Sequence, residues 1–177
     1  MILDQDNSLL LIIDIQEKLL KAVFNKELLE KKSKILVEAC SKLDVPMYTT
    51  EQYPQGLGET IEPLRKSDYV FIKTAFNALD DEKLLNAIKD SGKKQIVVIG
   101  IETHICVHQT VSALLECGFN VTVVKDACGS REELEYHSAL DYMKNLGADI
   151  KTTEMVLFEL LKTAKHPRFK EIQSLIK

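Results

Sequence analysis

A chain of 177 residues that is 45% hydrophobic is long enough for one domain around a single sizeable core. Its 23 basic residues are outnumbered by 27 acidic ones, a net charge of -4, so there is no basic excess to hold a phosphate backbone and nucleic acid is not an expected partner. The longest early apolar run, Leu9 to Ile13, is too short for a signal-peptide core or a membrane span, which excludes a membrane partner and predicts a cytoplasmic protein. In chain order, Ser8 to Ile13 reads as a buried strand, and helix Lys26 to Leu43 follows with apolar positions Leu28, Leu29, Ile35, Leu36 and Ala39. Val45 to Thr49 reads as a strand with Pro46 near its start. Pro54 to Arg65, with two prolines and two glycines, reads as a loop placed to act as a lid. Strand Tyr69 to Ile72, helix Asp80 to Ser91 and strand Gln95 to Ile99 come next, the last ended by Gly100 before an amphipathic helix to about Cys117. Strand Phe119 to Val124, helix Glu132 to Leu146, strand Asp149 to Lys151 and helices Thr153 to Leu161 and Pro167 to Ile176 complete the chain. Six strands alternating with helices predict an α/β fold of three αβα layers, a doubly wound six-stranded parallel sheet.

Chemistry concentrates where three of these strands end. Asp14 directly follows five apolar residues, Lys73 caps Tyr69 to Ile72, which reads as a buried strand, and Cys106 lies about one and a half helical turns beyond Gln95 to Ile99. Parallel strands deliver their ends to one edge, where the crevice of an open α/β sheet binds ligands. An acid, an ammonium and a thiol brought together there could perform nucleophilic catalysis: Asp14 accepts the thiol proton, Lys73 stabilises carboxylate and thiolate, and Cys106 attacks an electrophilic carbon to form an acyl thioester. The helix start should favour the thiolate, and backbone N-H groups between Ile101 and Cys106 could hold an oxyanion. The plain alternatives are a capping or paired carboxylate at Asp14 and an inert packing thiol at Cys106.

Four motifs stand in order: Leu-Ile-Ile-Asp-Ile-Gln (11 to 16), Lys73-Thr-Ala-Phe76, Gly100-Ile-Glu-Thr-His-Ile-Cys-Val107 and Asp126-Ala-Cys-Gly-Ser-Arg131. Through them nearly the whole chain resembles the isochorismatase-like cysteine hydrolases, which include nicotinamidases and carbamoylsarcosine amidohydrolases. The resemblance implies Asp14 as base, Lys73 as electrostatic partner and Cys106 as nucleophile. It also implies a cis peptide between Ile101 and Glu102 that turns the amides of Glu102 and Cys106 toward the oxyanion, and assembly into a homo-oligomer. Isochorismatases carry glycine where this chain has Cys106, which argues against vinyl-ether hydrolysis by that route. Nicotinamidases hold a metal with an acid and histidines in the loop after the second strand. Here that loop, Thr50 to Gly58, has one acid and no histidine, so neither a metal nor another cofactor is expected. Its Glu-Gln-Tyr-Pro sequence resembles that of isochorismatase-domain hydrolases whose substrates are unsettled.

Gln16, Tyr53 and Phe76 lie in the motif segments beside the crevice and are candidate contacts for a small-molecule substrate. His104 and His108 have the i, i+4 spacing that can hold zinc but lack the glutamate of HExxH. Asp126 to Arg131 reads as a turn in which Asp126 and Ser130 cap backbone groups and Arg131 pairs with an acid. Cys40, Cys117 and Cys128, without CxxC or regular spacing, read as reduced packing thiols. Hydrolysis of a small amide or related C-N bond is the leading expectation. The alternatives are a catalytically silent binding or scaffold protein and, less favoured because no second cysteine lies close in sequence, a thiol redox sensor.

Overall fold

A computed structural model describes residues 1–177. Six strands, β1 (Ser8–Ile13), β2 (Met47–Gln52), β3 (Tyr69–Lys73), β4 (Gln95–Ile101), β5 (Asn120–Gly129) and β6 (Asp149–Lys151), form one sheet. Eight α-helices accompany them: α1 (Glu17–Lys21), α2 (Lys26–Lys42), α3 (Pro54–Leu57), α4 (Glu82–Asp90), α5 (His108–Glu116), α6 (Glu133–Leu146), α7 (Thr153–Leu161) and α8 (Phe169–Ser174). All neighbouring strands are parallel, in the order β3-β2-β1-β4-β5-β6. This is the predicted doubly wound sheet, and the order reverses between β1 and β4, which opens a crevice at their carboxyl ends.

Period-2 alternation within strands buried on both faces divides the apolar side chains between two cores. Leu10, Ile12, Val97 and Ile99 pack on one face against Leu29 and Leu36 of α2 and Val156 and Leu160 of α7. Leu9, Leu11, Ile13, Ile96 and Val98 pack on the other against Leu84 of α4, Val111 and Leu114 of α5 and Met143 of α6.

Four boundaries and environments differ from the sequence reading. β2 starts after Pro46 and runs on to Gln52, because Pro46 has no N-H for a ladder and only its carbonyl is used, by Leu10 N. Gly100 does not stop β4 but lies inside it. A Cβ there would come within 2.5 Å of the Ile13 carbonyl oxygen and 2.7 Å of Ile13 Cβ, so glycine permits the close approach of β1 and β4. β5 continues to Gly129, so Asp126 to Gly129 is strand rather than turn. β3 is an exposed edge strand rather than a buried one, with only Lys73 fully covered. The expected lid contains a short α-helix, α3, entered through Tyr53 at φ 37°, and a 3-10 turn, Glu62–Leu64.

Candidate active site

Asp14 follows β1 at the sheet's reversal point, fully buried and in the left-handed backbone region at φ 51°. Such a conformation costs a non-glycine residue about 1–3 kcal/mol and persists only where surroundings hold it. Here Asp14 N donates to the Thr50 carbonyl at 3.1 Å and Gln16 N donates to the Asp14 carbonyl at 2.8 Å. The carboxylate is engaged at both oxygens: Thr50 Oγ1 donates to Oδ1 at 2.7 Å, and Lys73 Nζ donates to Oδ2 at 2.7 Å. Lys73, only 6% exposed, also donates to Gln52 Oε1 at 2.7 Å and to the Ala75 carbonyl at 3.2 Å. A buried ammonium is tolerated because it is paired and its donors are used.

Cys106 completes the group from the other side of the reversal point. β4 ends in a cis peptide between Ile101 and Glu102, and a π-helical turn, Thr103–Val107, leads into α5. Within it Ile105 N and Val107 N both donate to the Glu102 carbonyl, at 3.1 and 3.2 Å. The thiol is 5% exposed and close enough to Asp14 and Lys73 for the charge of each to act on it. Burial pushes it from an ordinary 9.0 up to about 12; the Asp14 carboxylate also raises it, and the Lys73 ammonium opposes that rise. This corrects the expectation that the helix start would favour the thiolate: desolvation and the adjacent carboxylate outweigh it, and Cys106 rests as a thiol.

The structure therefore brings Asp14, Lys73 and Cys106 together, with the Glu102 backbone alongside. It treats the three candidate substrate contacts differently. Gln16 is fully buried, its Nε2 donating to the Gln52 carbonyl at 3.0 Å and the Gly58 carbonyl at 2.5 Å while its Oε1 accepts from Gln52 N at 2.7 Å. Its amide thus holds the loop after β2, a positioning task rather than substrate contact. Tyr53 and Phe76 are more than half exposed at the rim, each tied to Lys73 through backbone: Tyr53 N donates to the Lys73 carbonyl, and the Phe76 carbonyl accepts from Lys73 Nζ.

Thr50 and Gln52 escaped the sequence reading although both touch the acid-ammonium pair. The available signal was their place at the end of β2, where Thr50 pairs in register with Ile13, the residue before Asp14. The histidines face away from each other's partners: His104 Nδ1 meets Ser130 Oγ at 2.9 Å, and His108 packs edge-on against Tyr142 with no protein partner for its buried Nδ1. No group of three or more His, Cys, Asp or Glu residues is placed to hold a metal ion. Arg131 Nε pairs with Glu102 Oε1 at 2.6 Å, while Asp126 Oδ1 accepts from Thr153 N at 2.8 Å at the start of α7.

The model of the isochorismatase domain matches residues 8–155, which contain all of these positions. The chain belongs to the isochorismatase family. Isochorismatase family protein 1A of Dictyostelium discoideum is 40% identical over 96% of this chain and 86% of its own. Among solved structures, one described as the MAR1 ribonuclease of Caenorhabditis elegans superposes with a TM-score of 0.92 at 35% identity, covering 99% of this chain and 92% of its own. The ycaC gene product of Escherichia coli, described as an octameric hydrolase of unknown specificity, superposes with a TM-score of 0.89 at 27% identity, over 99% of this chain and 95% of that one. This isochorismatase-family chain thus shares the fold of a hydrolase. No helix in it is long and apolar enough to cross a membrane.

Proposed function

We propose that this chain is a cysteine hydrolase that cleaves the C-N bond of a small amide or related carbonyl compound. The observation that carries the reading is the buried cluster itself, in which one carboxylate and one ammonium 2.7 Å apart share a thiol that rests protonated. A thiol held up at about 12 is inert alone and needs a base beside it, the role that falls to Asp14. On substrate binding the Cys106 Sγ-H proton passes to Asp14 and Sγ bonds to the carbonyl carbon. The amides of Glu102 and Cys106 receive the oxyanion, and the Lys73 ammonium offsets the negative charge. As the tetrahedral intermediate collapses, the C-N bond breaks and the nitrogen leaves with the proton held by Asp14. Water, losing a proton to Asp14, then hydrolyses the thioester to the acid and restores the thiol.

A mass increase on Cys106 equal to the acyl group, trapped by acid quench during turnover of a hydrolysed amide, tests this chemistry. Cys106→Ala should show no adduct and at least about a thousandfold lower turnover with an unchanged fold. Undiminished turnover in that variant would remove the mechanism, and the silent binding protein would take its place. The ribonuclease description of the C. elegans relative is not carried over, because the present chain has an acidic balance and no basic excess to receive a phosphate backbone. Self-association into a homo-oligomer belongs to the same reading, supported by the octameric E. coli relative.

A further inference from the structure

The two edges of the sheet are built differently. β6 is only three residues long, and its flanking charges are consumed: Lys151 Nζ pairs with Glu159 at 2.7 Å and donates to the Met1 carbonyl, while Asp149 holds the N-terminal ammonium at 2.9 Å. Such a short, charged edge resists further pairing. β3 has five residues, no proline and a single charge, and it carries large apolar side chains on both faces. Tyr69, Val70 and Ile72 are 58%, 55% and 59% exposed, and Phe71 is half-buried. Nothing within the chain covers its outer side.

We propose that β3 pairs antiparallel with β3 of a second copy of this chain across a two-fold axis, joining two six-stranded sheets into one. The proposal rests on the self-association inferred above and names its surface. The strand is complementary to itself: a two-fold through Phe71 sets Val70 of each copy against Ile72 of the other, Phe71 against Phe71, and the only charged residue, Lys73, against Tyr69, so that no like charges oppose each other. A stable dimer buries roughly 800 Å² per partner, more than five residues supply. Further surface adjoins it, since Phe76, 54% exposed, follows the strand.

This contact bears on the site. A groove of about 600 Å³ at the carboxyl end of β3 is lined by Ile72, Lys73, Thr74 and Ala75 together with the stretch from Asp80 to Lys83, so it includes the residue that pairs with Asp14. A second copy seated on β3 walls that groove, and the approach to Lys73 becomes a property of the dimer.

The test is cross-linking combined with mass measurement. In a Cys117→Ser background, which removes the exposed native thiol, Phe71→Cys should oxidise to a disulfide dimer of twice the 20.0 kDa chain mass, because facing residues of an antiparallel pair lie within a disulfide's Cα reach. Leu134→Cys on α6, at a more exposed position, should not. Val70→Arg, at an exposed position outside the catalytic cluster, should at least halve the mass seen in sedimentation while circular dichroism stays native. A native chain that sediments as a monomer overturns both this inference and the self-association beneath it. An oligomer that survives Val70→Arg and fails to cross-link through position 71 overturns this inference alone.

Discussion

Asp14 controls the thiol in two opposed ways, and the opposition makes its role measurable. Its negative charge raises Cys106, whereas Lys73 lowers it. Asp14→Asn therefore lowers the thiol's pKa and, at pH 8, quickens alkylation of Cys106 by about tenfold for each unit of that fall. The same change removes the proposed base, so turnover falls about a hundredfold to ten-thousandfold. Lys73→Met shifts both quantities downward, because the group that favours the thiolate is lost. Alkylation followed by peptide mass mapping and turnover measured in parallel check the pair; alkylation slowed in Asp14→Asn would contradict the electrostatics described here. The neighbouring hydroxyl and amide, Thr50 on Asp14 Oδ1 and Gln52 on Lys73 Nζ, hold both charged groups in place. Without them each ion would have fewer partners in a site that excludes water, a deficit of about 1–3 kcal/mol for each unsatisfied group.

At the level of elements, the distance between β1 and β4 decides whether Asp14 and Cys106 can meet. These strands bracket the reversal of the sheet, and they pack so closely at Gly100 that a methyl group would strike the Ile13 carbonyl, part of the backbone and unable to rotate away. Gly100→Ala should therefore destabilise the protein by about 1–3 kcal/mol in urea unfolding and separate the acid from the thiol, lowering turnover more than the loss of stability explains. Full stability in that variant would show that the strands have slack. The loop after β2 is fixed from the same region: Gln16 bonds the Gly58 carbonyl, and Glu51 Oε1 accepts from Thr60 N at 2.7 Å and Thr60 Oγ1 at 2.8 Å. The segment that read as a lid is clamped at its middle by side chains from beside β1 and from β2.

Across the whole molecule, three buried thiols make stability depend on alkaline pH. Burial raises Cys40, Cys106 and Cys128 from an ordinary 9.0 to about 12 each. Below pH 9 these thiols are neutral whether the chain is folded or unfolded, and their contribution to stability is complete. Between pH 9 and 12 only the unfolded chain ionises, and each thiol withdraws up to about 1.4 kcal/mol per pH unit. Urea midpoints should fall steeply above pH 9, and Cys40→Ala, compared with the parent at each pH, should fall less steeply by one thiol's share. A slope unchanged by that substitution would mean that Cys40 does not stay protonated in the fold. Cys117, by contrast, is exposed at the end of α5 and corrects the expectation that it packs in the interior.

Much of the architecture was legible from local pattern, because unbroken apolar runs such as Leu9 to Ile13 and Ile96 to Ile99 suit strands buried on both faces, and six strands alternating with helices leave few topologies. The position of Asp14, Lys73 and Cys106 at strand ends was legible for the same reason: parallel strands share one carboxyl edge. Other features depended on neighbours distant in sequence. Whether Tyr69 to Ile72 was central or at the edge followed from strand order, to which a hydrophobic run is blind. The bonds of Thr50 and Gln52 depended on register, and the amide of Gln16 was committed to backbone only once β1 and β2 lay side by side. The protonation of Cys106 was decided by the structure alone, because a helix start acts through local sequence whereas desolvation and a carboxylate 92 residues earlier exist only in the folded chain.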